Sequence, residues 1–486
     1  MQSIGTVADA RAQPQPFQTL PLLASGLALL VIGAGLGITD NLGSVALVIL
    51  GSVLIAFSNT IFTLHLTVFL VSWQIYLANW PDSTYTFRLI DILISSVVVV
   101  TLLKAPRAWR QFRSGWILPL WIFFGLAIVS GLARGQSYAV GKFVVDWWPS
   151  LAFYWLLLVW GAKLNWPKLI RVLQLSFVLQ AVLGLAQTAI GNPAVIISFL
   201  RSPTATLLFD RDLLAARIYD ESFNFIWRGR VFAFGTYLGS SGLGIVLAVA
   251  GAVTWALVLK SKRLLASWNF YLAIALSGTC LLVMKRSGWI SLASGLFMVI
   301  VLGYWLRKLS GRNFLVILVL AGMLAGGFAY WQRDPLLDRI NDQVGWQYGR
   351  DQTWPAYLNL AARQPFFGYG PGYPQGSQAI GLPGDVDYAL GPENTYLHLA
   401  LTAGALGLLA FLWLIVHAAE QVWRARRSQD KSIVIAVLSG LAAMGLGGMF
   451  VISLGDLQNG GALFFLLALA HHCALTYRQE LARGRT

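Results

Sequence analysis

Lys285 and Arg286 occupy a very short turn between two apolar stretches, one ending at Met284 and the other starting at Ser287. An arginine at bilayer depth costs about 2.5–3.5 kcal/mol even on the lenient insertion scale, so something anionic should offset it. Two readings meet that need: a bound phosphorylated substrate, or lipid phosphates reached by snorkelling. A second constellation lies in a long polar segment, as Gly349-Arg350-Asp351-Gln352-Thr353-Trp354, then Pro365-Phe366-Phe367-Gly368-Tyr369-Gly370-Pro371-Gly372, then Glu393-Asn394-Thr395-Tyr396-Leu397. Residues 351–363 read as a helix with Trp354, Leu358 and Ala361 on one face, which sets Arg350 at its N-terminus, a setting that accepts phosphate. The alternative for Arg350 is an ion pair with one of the loop's acids. Gly368 and Gly370 have no βαβ unit around them and so form no dinucleotide fingerprint. They read as an irregular turn whose backbone N–H groups could meet an anion. Glu393, just before an apolar span, is either a capping acid at a helix start or a general base.

Other residues carry weaker signals. Asp210-Arg211-Asp212 and Asp385-Val386-Asp387 fit the Asp-x-Asp pattern of metal-dependent group transfer, but two acids at that spacing arise easily in polar loops. The five histidines, His65, His398, His417, His471 and His472, make no outward cluster with ligand spacing. Asp91 lies within an apolar stretch, a default functional hint, with Arg88 near enough to pair with it instead. Cys280 and Cys473 both fall in apolar stretches, where packing is the expected role.

The elements that hold these residues are membrane helices. Of 486 residues 57% are hydrophobic and 11% charged, with a mean hydropathy of +0.66, against roughly 25% charged in a soluble domain. Apolar stretches of about 20 residues recur, each long enough for a hydrocarbon core of about 30 Å. The expected spans are 20–38, 43–58, 60–79, 87–103, 115–133, 146–162, 167–190, 235–258, 266–284, 287–306, 313–331, 394–416, 432–452 and 460–477, where the stretch from Leu42 to Asn79, free of Lys, Arg, Asp and Glu, reads either as a tight hairpin or as one long tilted span with a re-entrant piece. The fold class is therefore all-α, a polytopic transmembrane bundle of about 12–14 spans with two extracytoplasmic loops, the later one partly helical. The divisions are an N-terminal bundle at 1–190, a first loop at 191–235, central spans at 236–331, a large loop at 332–392 and C-terminal spans at 393–486. Loops this long usually carry function.

The net charge of +15 is a topology signal and not a nucleic-acid one. Six short segments, at 104–113, 163–171, 260–263, 307–312, 424–431 and 478–485, hold 20 of the 35 Lys and Arg but only two acids, Asp430 and Glu480. Short basic loops mark the cytoplasmic side. Alternation then sets Lys285-Arg286 and both long loops outside, and both termini inside, with Met1–Pro16 a short cytoplasmic tail.

Together the residues resemble the O-antigen ligase and Wzy-type polymerase superfamily of bacterial inner-membrane glycosyltransferases. Its pattern is a late periplasmic loop with an Arg-x-x-x-Trp segment (here Arg350 to Trp354), a Pro-x-x-Gly-x-Gly turn (Pro365 to Gly370) and a His-Asn-x-x-Leu helix start (Glu393 to Leu397). Lys285-Arg286-Ser287-Gly288-Trp289 is similar to its Ser-Arg-Gly turn, and Arg230-Val231-Phe232-Ala233-Phe234-Gly235 resembles the segment entering an earlier span. The resemblance implies metal-independent transfer of a glycan from an undecaprenyl-diphosphate carrier to an acceptor glycan or glycolipid on the periplasmic side, with no cofactor. Arg286 and Arg350 would clamp the diphosphate. Lys285, Arg230, Asp351, Trp354, Gly368, Gly370, Asn394 and Tyr396 would contact substrate, and envelope-polysaccharide assembly proteins are possible partners. Glu393 stands where the family has His and would activate the acceptor hydroxyl. The rival readings are a solute or lipid transporter, which calls for broken helices and midplane charges, and an inactive scaffold, favoured by Glu393.

Overall fold

A computed structural model describes residues 16–36, 42–73, 75–79, 86–113, 116–200, 226–227, 230–231, 240–261, 266–283, 285–306, 350–374, 392–449 and 457–483, with isolated helical positions between 319 and 333. The helices are α1 (Pro16–Leu36), α2 (Leu42–Ser58), α3 (Thr60–Leu70), α4 (Leu89–Lys104), α5 (Leu118–Leu132), α6 (Ser137–Trp160), α7 (Trp166–Ile190), α8 (Pro193–Leu200), α9 (Ser240–Val258), α10 (Trp268–Leu282), α11 (Arg286–Trp305), α12 (Arg350–Arg363), α13 (Thr395–Arg424), α14 (Lys431–Gly448) and α15 (Leu457–Ala482). Two short antiparallel ladders accompany them, β1 (Tyr76–Asn79) with β2 (Thr86–Arg88), and β3 (Ile226–Trp227) with β4 (Arg230–Val231). Among the described residues six helices are long and apolar enough to cross a membrane, α6, α7, α11, α13, α14 and α15, and six shorter apolar helices join them. The protein is a polytopic helical membrane bundle.

Most expected spans coincide with helices, and one does not. The stretch 60–79, free of charge, forms a helix only as far as Leu70. Eleven residues rise about 16 Å, half of a hydrocarbon core. Asn59 caps α3 by accepting from Phe62 N at 2.9 Å, and past Leu70 the chain turns into the β1–β2 ladder, with Trp73 N bonded to Leu70 O at 2.8 Å. The hairpin then carries the chain to Arg88 and α4. The expected span at 313–331 lies almost wholly outside the described residues.

The chain divides into two compact units, one of residues 1–114, 149–176 and 192–223, the other of 115–148, 177–191 and 224–486. In the first, Gly26 and Gly51 bring α1 and α2 together: a Cβ on Gly51 would sit 2.7 Å from Gly26 O. Close backbone approach through small residues is how helices associate where lipid removes the usual hydrophobic gain. Arg88 and Asp91 form a buried ion pair at 2.6 Å, the pairing that leaves Asp91 a structural role. In the second unit α9 is the hub. Gly295 of α11 leaves room for Ala252 of α9, where a Cβ would approach to 2.6 Å, and Trp255 Nε1 donates to Ser277 Oγ of α10 at 3.0 Å. Phe123 and Phe124 of α5 interlock with Phe143 and Trp147 of α6, and Phe123 meets Phe411 of α13 at 6.5 Å between centroids. Both cysteines are free and buried; the Cys280 thiol donates to Gly244 O at 3.3 Å, in keeping with a packing role.

Candidate functional site

The site is assembled around a helix that breaks. Gly404, inside α13, has φ 70° and ψ −175°, so the backbone leaves the helix for one residue and resumes it. A break inside a membrane helix strands carbonyl and N–H groups that must find partners within the protein. The Pro365–Gly370 turn supplies them. Tyr369 N donates to Leu401 O at 2.6 Å and Gly370 N to Thr402 O at 3.0 Å, while Ala405 N donates to Pro365 O at 2.7 Å and Leu406 N to Phe366 O at 3.5 Å. The fit needs glycine on both sides: a Cβ on Gly404 would lie 2.1 Å from Phe366 O, and one on Gly368 2.6 Å from Leu401 O. Gly368 (φ 66°) and Gly370 (φ 87°) both take the left-handed conformation that glycine adopts without cost.

This corrects the reading of the turn as a nest of exposed amides for an anion. The N–H groups of Gly368, Tyr369, Gly370 and Gly372 go to Gln364 O, Leu401 O, Thr402 O and Gln136 Oε1. The glycines are there to let the turn cross the helix.

From the turn the chain is tied down in two directions. Toward α12, Tyr357, Leu360, Tyr373, Leu397 and Leu401 form a buried cluster with Trp354 and Tyr369 packed on it. Tyr373 Oη pairs with Nδ1 of His398 at 2.9 Å, a contact the sequence does not announce, since the two lie 25 residues apart and just outside the motifs. Trp354 Nε1 donates to Pro392 O at 2.9 Å and so fixes the residue just before Glu393. Asn394 is the N-cap of α13, its Oδ1 accepting from Leu397 N at 3.0 Å. Glu393 between them is exposed and has φ 44°, the one non-glycine residue with positive φ among the described residues. Such a conformation costs about 1–3 kcal/mol and persists only where the surroundings impose it, as the two flanking bonds do here.

Toward α11 the connection runs through the glycine-rich end of α14. Tyr396 Oη donates to Gly445 O at 2.6 Å, Thr395 lies against Gly448, and Gly447 faces Ser291 of α11, where a Cβ would come within 2.1 Å of Ser291 Oγ. Ser291 is less than one and a half turns from Arg286. The starts of α11 and α13 therefore flank the same end of α14. Arg286 is the first residue of α11, partly buried, with Lys285 as N-cap. Gly288 meets Gly244 of α9 closely enough that a Cβ would be 3.0 Å from its Cα, which holds that helix start against α9. A cation in a first helical turn faces the positive end of the helix dipole, at a cost of about 0.3–1 kcal/mol.

Three expected site residues have only their backbones described. Arg350 and Asp351 open α12, and Arg230 pairs with Trp227 in the β3–β4 ladder; their side chains, and the Asp-x-Asp segments at 210–212 and 385–387, lie outside the described residues. The structure adds a group the sequence reading omits, the α5–α6 turn. Ser130 Oγ donates to Gly368 O at 2.9 Å, Gln136 Nε2 to Gly372 O at 3.1 Å, and the Arg134 guanidinium lies over the Tyr369 ring at 5.2 Å.

Residues 271–412 match the O-antigen ligase family. The match takes in α10, α11, α12, the glycine turn and the first part of α13 through its break, and so includes Arg286, Arg350 and Glu393 but not Arg230. No curated protein matches the chain.

Proposed function

We propose that the chain, a multi-pass bundle whose residues 271–412 match the O-antigen ligase family, is a membrane enzyme of the O-antigen ligase and polymerase type that moves a glycan from an undecaprenyl-diphosphate carrier to an acceptor hydroxyl at the periplasmic face of the inner membrane. Glu393 takes the proton of the acceptor hydroxyl. That oxygen attacks the anomeric carbon, the bond from this carbon to the diphosphate oxygen breaks, and the diphosphate leaves with the bonding electrons. Arg286 and Arg350 hold it as its charge grows, which is where preorganised guanidiniums lower a barrier most. Lys285, Arg230, Asp351, Trp354, Asn394 and Tyr396 bind and orient the substrates, and the chemistry as written draws on no metal.

The observation that carries this reading is the convergence of the starts of α11 and α13 on one end of α14, with Arg286 leading the first and Glu393 preceding the second. The strained backbone of Glu393 supports a functional and not a merely capping carboxylate, because Asn394 already caps the helix. A broken helix also belongs to transporters, but here the groups freed at Gly404 are closed by the glycine turn, which favours a scaffold for a site above the break.

The test is turnover of the purified protein on a lipid-diphosphate-linked oligosaccharide with an acceptor glycolipid. Release of the lipid diphosphate with growth of the acceptor is expected, and Glu393→Gln should slow it about 10²–10⁴-fold, the span of a positioned general base. Equal turnover by Glu393→Gln would remove Glu393 from the chemistry. No turnover by the wild type, with activity gained by Glu393→His, would favour an inactive scaffold.

A further inference from the structure

We infer that Arg134, in the turn between α5 and α6, holds a phosphate oxygen of a lipid headgroup. The inference deepens the transferase reading and rests on it for the identity of that lipid; the family match begins at residue 271 and assigns nothing to this turn. Arg134 sits in the cap that ends α5, where Gly135 has φ 72° and Gln136 N closes on Gly131 O at 3.0 Å. Its Nη1 donates to Ser130 Oγ at 2.7 Å and to Ser130 O at 3.2 Å. A basic side chain closing a helix C-terminus is ordinary, and this accounts for one nitrogen of three. A second contact comes from the Tyr369 ring, whose centroid lies 5.2 Å from the guanidinium carbon, and Tyr369 is itself held through its N–H to Leu401 O.

What remains is the edge made by Nε and Nη2. Neither has an acceptor among the described residues, and no carboxylate there pairs with Arg134, although its side chain is exposed. Two parallel N–H groups on a rigid guanidinium form the fork that matches two oxygens of one phosphate. The stretch 133–146 carries Arg134, Lys142 and one acid, Asp146, which follows Lys142 by one helical turn and lies twelve residues from Arg134. The same turn that supplies Tyr369 also presents Phe366 and Phe367, 62% and 58% exposed. A cation fork at the Tyr369 end of the turn and an exposed apolar pair at its Phe366 end suit an amphiphile, with phosphate at Arg134 and hydrocarbon along the phenylalanines, better than a free sugar phosphate. Arg134 stands on the α13 N-terminal side of the Gly404 break, the side that also carries Glu393 and Arg286.

The test uses the full-length protein in detergent, a short-chain polyprenyl diphosphate as probe and inorganic pyrophosphate as the free-anion control. Arg134→Gln, which removes the charge and keeps a polar side chain, and Arg134→Lys, which keeps the charge without the fork, should each weaken polyprenyl-diphosphate binding about tenfold or more while melting like the wild type. Wild-type affinity in Arg134→Gln overturns the inference, and so does loss of binding only in step with loss of fold. Pyrophosphate binding as tight as that of the lipid, and equally sensitive to Arg134, would overturn the lipid assignment in favour of a free anion. Should the wild type bind no polyprenyl diphosphate, the transferase reading fails with it; should Arg286→Ala lose binding and Arg134→Gln keep it, only the role of Arg134 fails.

Discussion

Gly404 shows how a single residue can decide the architecture of a site. Its neighbours Ala403 and Ala405 are helix formers, and the sequence around it reads as unbroken span; only the backbone reveals φ 70° and the Pro365–Gly370 turn laid across the gap. Gly404→Ala would force a β-carbon to within 2.1 Å of Phe366 O in a conformation that L-residues avoid. A loss of about 2 kcal/mol or more is expected, read as a clear fall in the detergent melting temperature together with lost turnover. An unchanged melting temperature would mean that the turn does not stitch the helix. The same residue explains a misreading. The spacing of Gly368 and Gly370 is legible as a turn, but whether its amides face a ligand or a helix depends on where the partner carbonyls are freed, and nothing local to the motif records that.

Among the elements, α14 ties the site together through its last turn. Its glycines were not legible as functional because glycine inside an apolar stretch is common in membrane helices; what distinguishes Gly447 is the hydroxyl of Ser291 directly against it. Gly447→Ala should therefore separate α11 from α13 and impair both stability and turnover. The hydroxyl is the close atom, with the next neighbour, Ile245 Cγ1, at 3.3 Å, so Ser291→Ala in the same protein should restore most of both. Absence of rescue in that double-mutant cycle would contradict the packing described here. The short α3 was legible only in part: a charge-free run through residue 79 left a re-entrant piece open, but its end at Leu70 is set by the β1–β2 hairpin, which hydropathy does not record. By contrast α12, α13 and α11 begin within a residue of their expected starts: Asn394 is a recognisable N-cap, and Arg350 and Arg286 mark where polar sequence gives way to helical periodicity.

For the molecule as a whole, the bundle was legible from hydropathy and charge alternation, since apolar runs of about 20 residues suit spanning helices and not the short alternating strands of a barrel. The order of the motifs from Arg286 to Leu397 pointed to the ligase and polymerase superfamily, which the match at 271–412 bears out. Arg134 escaped that reading because a lone cation at the end of an apolar stretch looks like any helix terminus until Tyr369 is seen beneath it. The central claim is that guanidiniums from distant parts of the chain grip a diphosphate leaving group. Its most direct measurement is the rate of release of lipid diphosphate from a lipid-linked oligosaccharide by the wild type, Arg286→Ala and Arg350→Ala, each purified and shown to melt alike. A fall of about 10²-fold or more is expected in both variants; wild-type release by either would mean that its guanidinium does not hold the leaving group.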